Sequence, residues 1–190
     1  NAQKLQAEWI NCRVANPVAT IIVMHRDKAG FDKARFCSGW IAQTFMSEKI
    51  DVITVNRPGF AGSTGKSDFA GPVSMAALEA GIMAALSQGK NPKAATGIWG
   101  YSSGATAAAL LSKNIKGLKF LILGGGIYDL EETLTTTTDS YIKAEIDAIL
   151  RTGGDEALEN RSIGYDVDGL PKRIFLYHGK QDTSVYPGLA

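Results

Sequence analysis

The stretch at residues 96–111 reads TGIWGYSSGATAAALL, and its character changes at its centre. The apolar run before Tyr101 is typical of a short buried strand. The alanine-rich run after Gly104 is typical of a helix. Only the five residues GYSSG, 100–104, separate the two. The stretch therefore predicts a strand, a sharp turn and a helix in direct succession.

The same alternation of strand and helix recurs along the whole chain. Continuous apolar runs, expected of strands buried on both faces, are found at 19–25, 51–56, 119–125 and 173–179. Apolar residues at helical spacing are found at 39–48, 74–89 and 103–114, and Ser74 is placed to cap the second of these helices. We therefore expect an α/β fold, in which a mostly parallel sheet is covered on both faces to give three α/β/α layers.

Length and charge limit the kinds of partner that the chain can have. The 190 residues suit one compact domain, so residues 1–190 are expected to form a single domain. The 20 basic and 19 acidic residues nearly cancel, which gives no electrostatic reason to expect nucleic acid or an anionic membrane as a partner. The longest aliphatic runs, such as ATIIVM, are far too short to span a bilayer. The sequence assigns neither an oligomeric state nor a compartment.

The two cysteines, Cys12 and Cys37, lie far apart in the sequence. They show neither a CxxC motif nor the Cys/His spacing of a metal site. We therefore expect both to be small buried apolar side chains rather than the two halves of a disulfide. On this interpretation the cysteines do not decide between a reducing and an oxidising compartment.

The turn at 100–104 has the pattern G-x-S-x-G, centred on Ser102. In a strand–turn–helix context this pattern presents a serine hydroxyl as a nucleophile, and the turn is so tight that flanking glycines are needed. Ser102 has glycine two positions away on both sides, whereas Ser103 has Tyr101 on one side. The backbone N–H of Ser103 can point at a developing oxyanion. The alternative is that Ser102 merely caps the helix.

Two further motifs complete a recognisable set. HGKQD at 178–182 follows the last apolar run, and RPGFAGS at 57–63 is similar to a loop of the form R-G-x-G-x-S. Together with G-x-S-x-G, these motifs indicate a resemblance over nearly the whole chain to the α/β-hydrolase-fold serine hydrolases, above all to esterases and prolyl-oligopeptidase-like peptidases. The resemblance implies that Asp182 is the acid of a Ser…Asp…His triad and that the 57–63 loop is structural. The alternative for Asp182 is a residue that only shapes a turn.

The resemblance also implies a second oxyanion donor after the strand at 19–25, in a motif that usually reads H-G-x. Here the residues are His25, Arg26 and Asp27, so a charged side chain replaces the glycine. The backbone N–H of Asp27 is the first candidate for this donor, and the N–H of Arg26 is the next. Together with the N–H of Ser103, it would form the oxyanion hole.

The base of the triad is the open question, because the sequence holds two histidines, His25 and His178. By the resemblance, both occupy positions at strand ends where the family's histidines orient loops, and the catalytic histidine follows the acid. Three explanations stay open. The natural chain continues past Ala190 and supplies the histidine, His25 serves as the base, or the protein is a non-catalytic relative that binds a ligand or partner.

The segment at 127–172 is a long insert between two predicted strands, with an amphipathic helix from about Ser140 to just before Gly153. It is expected to be a lid or pocket wall, or else an ordinary crossover. The resemblance implies hydrolysis of a small carboxylic ester through an acyl-enzyme on Ser102, with peptide or amide cleavage as the alternative. This route needs no metal and no organic cofactor.

Overall fold

The structure is a computed structural model, and it describes residues 5–27, 30–88 and 95–189. Within these ranges the strands are β1 (Trp9–Cys12), β2 (Ala19–Met24), β3 (Ile50–Val55), β4 (Ala95–Tyr101), β5 (Phe120–Gly124) and β6 (Ile174–Tyr177). The α-helices are α1 (Trp40–Ser47), α2 (Pro72–Ser87), α3 (Ser103–Ser112), α4 (Leu130–Thr136) and α5 (Ser140–Glu159). Short 3₁₀ helices lie at Phe36–Ser38, Ile163–Tyr165 and Pro187–Leu189.

These strands form one sheet in the order β1-β3-β2-β4-β5-β6. Strands β2 to β6 run parallel, and β1 pairs with β3 in the antiparallel direction. The predicted succession of strands and helices and the mostly parallel sheet are confirmed, and β1 is an addition that the apolar pattern did not indicate. The carboxyl ends of the parallel strands share one edge of the sheet, which is where open α/β sheets bind ligands.

Helices cover both faces of the sheet. On one face, α2 and α3 pack on strand residues that include Ile22, Ile98 and Leu121. On the other face, α1 packs on alternate residues such as Ile21 and Val23. Successive side chains of a strand point to opposite faces, so a strand that is covered twice needs a continuous apolar run like that of β2. The expected three-layer arrangement is confirmed.

The strand β6 differs from the prediction of a strand buried on both faces. Its four residues are 37% to 63% exposed: Ile174, Phe175, Leu176 and Tyr177. β6 lies at the end of the strand order and pairs with β5, and no described helix packs extensively over it. The apolar run shows that these four residues favour burial, yet within the described part of the chain they are open to solvent.

The start of α2 also differs from the prediction. The helix begins at Pro72, whose fixed φ suits the first helical position, and Ser74 lies buried inside the helix. The carboxylate of Asp68 accepts the N–H groups of Val73 and Ser74. Asp68 thus takes the capping role that was expected of Ser74.

The insert at 127–172 contains α4 and α5. The carboxylate of Asp139 caps α5, which starts as predicted. The helix does not end just before Gly153 as expected. It kinks at Gly154, where φ is 67°, and then continues to Glu159. Apolar residues of both helices pack into a cluster of their own, which includes Leu130, Ile142 and Ile146.

Cys12 and Cys37 form a disulfide, with their Cα atoms 5.4 Å apart, so the expectation of two separate apolar side chains is wrong. Cys12 ends β1, and Cys37 lies in the 3₁₀ helix before α1. The fold places the end of β1 against this 3₁₀ helix and so brings the two cysteines together across 25 residues of sequence, which spacing alone does not reveal. The bridge closes a loop that contains β2 and His25.

Candidate active site

Ser102 lies between β4, which ends at Tyr101, and α3, which begins at Ser103; we call residues 100–104 the elbow. The Ser102 backbone has φ at 55° and ψ at −135°. Such a conformation costs a non-glycine residue on the order of 1–3 kcal/mol, and it is concentrated at functional sites. The Ser102 N–H donates to the carbonyl of Gly124 at 2.8 Å. The neighbouring strand thus helps to hold the strained turn in place.

The hydroxyl of Ser102 does not cap α3. Ser102 is the N-cap residue of this helix by position, yet its side chain makes no capping hydrogen bond. Its side chain is found at the wall of a cavity at the carboxyl edge of the sheet. This is the position that the nucleophile hypothesis requires.

The glycines of the elbow are needed because backbones approach closely there. A Cβ on Gly100 would lie 2.3 Å from the carbonyl oxygen of Gly104, and a Cβ on Gly104 would lie 2.5 Å from that of Met24. Both distances are far below van der Waals contact, and the atoms met belong to the backbone. The G-x-S-x-G spacing therefore lets α3 start directly against β2 and β4.

The cavity at the elbow, which we call the Ser102 cavity, has a volume of about 410 Å³. Ser102, Ser103, Asp27 and Asp182 all line it, so the structure brings the predicted site residues to one place. The insert at 127–172 contributes part of the wall through Ile127, Asp139, Tyr141 and Ile142. The Ser102 cavity is therefore enclosed by four parts of the chain: the elbow, the loop after β2, the turn after β6 and the start of α5.

The carboxylate of Asp182 is fixed by the turn that follows β6. Its Oδ1 accepts the N–H groups of Ser184 at 2.9 Å and Val185 at 3.0 Å. Its Oδ2 lies 3.2 Å from Nε2 of His178. Asp182 therefore shapes the turn and also stands at the wall of the Ser102 cavity, where a triad acid would be needed.

His178 is committed to the same turn. Its Nε2 lies 2.9 Å from the carbonyl oxygen of Val185, and since a carbonyl only accepts, Nε2 carries the hydrogen. Its Nδ1 is buried without a hydrogen-bond partner. The residues that line the Ser102 cavity do not include His178. Its contacts are those of a histidine that orients a loop.

His25 is buried, and both of its ring nitrogens are in use. Its Nε2 accepts the N–H of Arg57 at 3.0 Å, so the hydrogen is assigned to Nδ1, which donates to the carbonyl of Arg26 at 2.9 Å. The ring also meets Phe31 in an edge-on contact. No ring nitrogen is left to accept the proton of Ser102, so this geometry argues against His25 as the base.

The N–H of Asp27, predicted as an oxyanion donor, already has an acceptor. It donates to Oγ of Ser103 at 2.7 Å. The Asp27 carboxylate forms a 2.6 Å ion pair with Arg57, and both side chains are buried. An oxyanion would have to share this N–H with the Ser103 hydroxyl, whereas Arg26 lines the same cavity beside it. The N–H of Ser103 lies in the first turn of α3, where amides have no partner within the helix.

Arg57 is the residue of this site that the sequence analysis did not single out. It belongs to the 57–63 loop, for which only a structural role was expected, and it is 1% exposed. A signal for it was present, because the charged Asp27, which follows the position where the resemblance implies glycine, needs a counter-charge once it is buried. The partners lie 30 positions apart, so the pairing itself is not readable from the sequence.

Acidic and phenolic groups of α5 lie close enough to Asp27 to respond to its charge. Burial raises the pKa of Glu145 above its ordinary value of 4.5, and the Asp27 carboxylate raises this pKa further. The pKa of Tyr141 is raised by burial first, and then by the charges of Glu145 and Asp27. The start of α5 and the loop after β2 are therefore coupled electrostatically across the Ser102 cavity.

The groups that line the Ser102 cavity include serine hydroxyls, carboxylates and the guanidinium of Arg26.

The described residues contain no group of three or more His, Cys, Asp or Glu side chains placed to hold a metal ion. In the same part of the chain, no helix is both long and apolar enough to cross a membrane.

Solved structures with this architecture include two peptidases and an esterase. A puromycin-hydrolyzing peptidase from Mycobacterium tuberculosis is 20% identical with a TM-score of 0.71, over 93% of this chain and 27% of its own. A Pyrococcus furiosus esterase is 17% identical with a TM-score of 0.62, over 92% and 66%. A Pyrococcus horikoshii acylaminoacyl peptidase is 14% identical with a TM-score of 0.71, over 99% and 34%.

The chain thus spans between 27% and 66% of the length of these three proteins. No protein-family model and no curated protein matches the sequence. At identities of 20% and below, the likeness concerns the fold. With its mostly parallel sheet, its helices on both faces and its strand–turn–helix elbow, the chain has the α/β-hydrolase fold.

Proposed function

We propose that this chain is the core of a serine hydrolase that cleaves a carboxylic ester through an acyl-enzyme on Ser102. One observation carries the proposal: Ser102 is held at a φ of 55° between strand and helix, without a capping bond, in the cavity that Asp182 also lines. Strain of this kind persists only where the surrounding structure enforces it, and it is concentrated at functional groups. The esterase and the peptidases of the same fold agree with this proposal.

In the proposed reaction, the Ser102 oxygen attacks the substrate carbonyl while a histidine takes the hydroxyl proton. The C–O bond of the ester breaks as the same histidine gives this proton to the leaving alcohol. Water then attacks the acyl-enzyme with the same histidine as base, which releases the acid and restores the hydroxyl. Asp182 orients the histidine and stabilises its charged form.

We assign the oxyanion to the N–H of Ser103 and to one N–H of the loop after β2. Asp27 is the first assignment, and because its N–H is shared with Oγ of Ser103, the N–H of Arg26 is the alternative. One such donor is commonly worth about 3 kcal/mol of transition-state stabilisation. The N-terminus of α3 adds partial positive charge at the same point.

The histidine of this mechanism is neither His25 nor His178, whose ring contacts hold them elsewhere. We propose that polypeptide beyond Ala190 supplies it. The same two histidines support the second candidate, a non-catalytic relative that binds a ligand in the Ser102 cavity. Loss of the histidine from such a triad costs about a millionfold in turnover, so the two candidates differ sharply. The codons that follow Ala190 separate them by the presence or absence of a histidine.

A small-molecule ester is the proposed substrate, and a peptide or amide is the alternative. The alternative has support because peptidases as well as an esterase share this fold. The insert at 127–172 is proposed as a pocket wall that contacts the substrate through Tyr141 and Ile142, which line the cavity. Turnover of a p-nitrophenyl ester and of the p-nitroanilide of the same acid decides between ester and amide.

The test is fluorophosphonate labelling of the full-length gene product, together with hydrolysis of p-nitrophenyl acetate. We expect the label on Ser102, and we expect Ser102→Ala to lose both the label and the hydrolysis. Ser112→Ala is the matched control, because it removes a hydroxyl of the same helix that is bonded to the carbonyl of Ala109. A protein that contains a downstream histidine, yet takes no label and hydrolyses no ester, would contradict the proposal.

A further inference from the structure

We propose that Arg57 is a positioning residue for the oxyanion hole: its buried ion pair with Asp27 holds the loop after β2 against the elbow. The inference rests on the proposed function, since it explains how that hole is built. It concerns a stretch in which this chain departs from the family pattern, because Arg26 stands where glycine is expected and a carboxylate follows at position 27.

Arg57 holds both ends of the short segment from His25 to Asp27. Its guanidinium Nη2 donates to Oδ1 of Asp27 at 2.6 Å and to the carbonyl of His25 at 3.3 Å. Its backbone N–H donates to Nε2 of His25 at 3.0 Å. The residue itself is 1% exposed, so these contacts are shielded from water. One buried residue therefore anchors the strand end and the candidate donor loop together.

Within the described structure, few other contacts could compensate for the loss of this ion pair. Nε and Nη1 of Arg57 and Oδ2 of Asp27 are buried without hydrogen-bond partners. The guanidinium lies 5.0 Å from the ring centre of Phe60, a contact that favours the cation without directing it. Removal of either partner would leave the other charge buried and unpaired, which is strongly unfavourable. The loop must then move to bring the remaining charge to water.

The consequence for the elbow follows from the next contact. The N–H of Asp27 donates to Oγ of Ser103 at 2.7 Å, and Ser103 is buried. This bond sets the separation between the amides of the loop after β2 and the N–H of Ser103. An oxyanion hole depends on donors that already stand in place when charge develops. Movement of the loop therefore weakens transition-state binding, while the part of the cavity wall that Tyr141 and Ile142 of the insert supply stays in place.

The experiment uses the full-length protein and four variants. Arg57→Met is expected to lower kcat about 10- to 100-fold, somewhat less than the outright loss of an oxyanion donor, with KM nearly unchanged. Arg57→Lys, which keeps the charge, is expected to recover most of that loss. Asp27→Asn should resemble Arg57→Met, and the double variant should be little worse than either single one, because both act through one contact.

The control is Asp51→Asn, at the opposite end of β3. Asp51 is buried and its Oδ1 accepts the N–H of Val14 at 2.8 Å, so this variant disturbs a buried carboxylate far from the elbow. We expect it to lower the melting temperature and leave kcat unchanged. If Asp51→Asn lowers kcat as much as Arg57→Met at equal loss of stability, Arg57 is merely structural and the inference is overturned.

Amide hydrogen exchange at Asp27 gives a readout that does not need activity. We expect Arg57→Met to accelerate this exchange and Arg57→Lys to restore its protection. A wild-type protein that neither hydrolyses esters nor takes the label would refute the proposed function, and the exchange of the Asp27 N–H would still decide whether Arg57 holds the loop. Unchanged exchange in Arg57→Met would refute the positioning role even in an active enzyme.

Discussion

The two halves of the candidate site are supported very differently. The elbow lies in the interior of the sheet, since β4 is flanked by β2 and β5 and most of α3 is inaccessible to solvent. Asp182 follows β6, whose four residues are all exposed. Packing within the described residues thus fixes the nucleophile half, whereas the acid half is carried by an edge strand.

A core can therefore specify one half of a catalytic geometry and leave the other half underdetermined. Segments with few buried apolar contacts open locally at low free energy. The turn at Asp182 keeps its hydrogen bonds to Ser184 and Val185, but the strand before it is exposed on both faces. We therefore expect the elbow to be rigid and the Asp182 turn to move more readily.

The largest expected effect comes from a matched pair of leucines. Leu123 of β5 and Leu176 of β6 are register partners, so they project from the same face of the sheet, and they are 3% and 47% exposed. Leu123→Ala is expected to cost about 2–5 kcal/mol, because it removes a buried side chain and leaves a cavity. Leu176→Ala is expected to cost less than about 1 kcal/mol, because much of that side chain already contacts water.

Urea unfolding of the 190-residue chain measures both free energies. Equal costs would remove the contrast between the two strands. In a longer form of the protein, a cost for Leu176→Ala that rises toward that of Leu123→Ala would show that further polypeptide covers β6.

The second largest effect is expected from removal of the disulfide, and it should distinguish the two halves of the candidate site. Replacement of Cys12 and Cys37 by alanine is expected to lower the free energy of unfolding by about 3 kcal/mol, because the unfolded chain regains the entropy of the closed loop. Amide exchange should accelerate around His25, inside that loop, and stay unchanged at the Asp182 turn. A reductant should reproduce the loss in the wild type and have no effect on the double variant. Equal acceleration at both places would contradict the separation.

The sequence predicted the parts of this contrast that depend on local pattern. The strands and the elbow follow from apolar runs and from glycines two positions on either side of Ser102. The apolar composition of β6 shows that its residues favour burial, but it cannot show whether anything covers them. The Cys12–Cys37 bridge and the Asp27–Arg57 pair join residues 25 and 30 positions apart, and only the folded topology brings such partners together.

Substitution of one glycine in each half of the candidate site tests how tightly the backbone is packed there. A Cβ on Gly104 would lie 2.5 Å from the carbonyl oxygen of Met24, whereas a Cβ on Gly179 would lie 3.9 Å from Cβ of Asp182. Gly104→Ala is therefore expected to cost about 1–3 kcal/mol, because the backbone must shift to relieve the overlap. Gly179→Ala is expected to change stability by about 0.5 kcal/mol or less, since that site is open. Thermal unfolding of the two variants measures the difference, and a reversed order would show that the elbow can relax.

The smallest effect is a pH dependence of stability that comes from Glu145 of α5. The pKa of Glu145 is raised by burial and then by the Asp27 charge, so the native state binds this proton more tightly than the unfolded chain does. Its contribution to stability is therefore lost as the pH rises through the interval above 4.5. Glu145→Gln is expected to stabilise the protein at about pH 7 by only a few tenths of a kcal/mol, because the group is half-exposed and screened.

Urea unfolding at neutral pH and at about pH 4 tests this expectation, because the gain should vanish where Glu145 is protonated in both states. The matched background is Asp27→Asn, in which the gain at neutral pH should shrink, since one of the two causes of the raised pKa has been removed. A gain of equal size at both pH values would mean that the amide packs better than the carboxyl group, and that charge is not the cause. A gain that depends on both pH and Asp27 would show that α5 responds to the charge of the buried carboxylate beside the elbow.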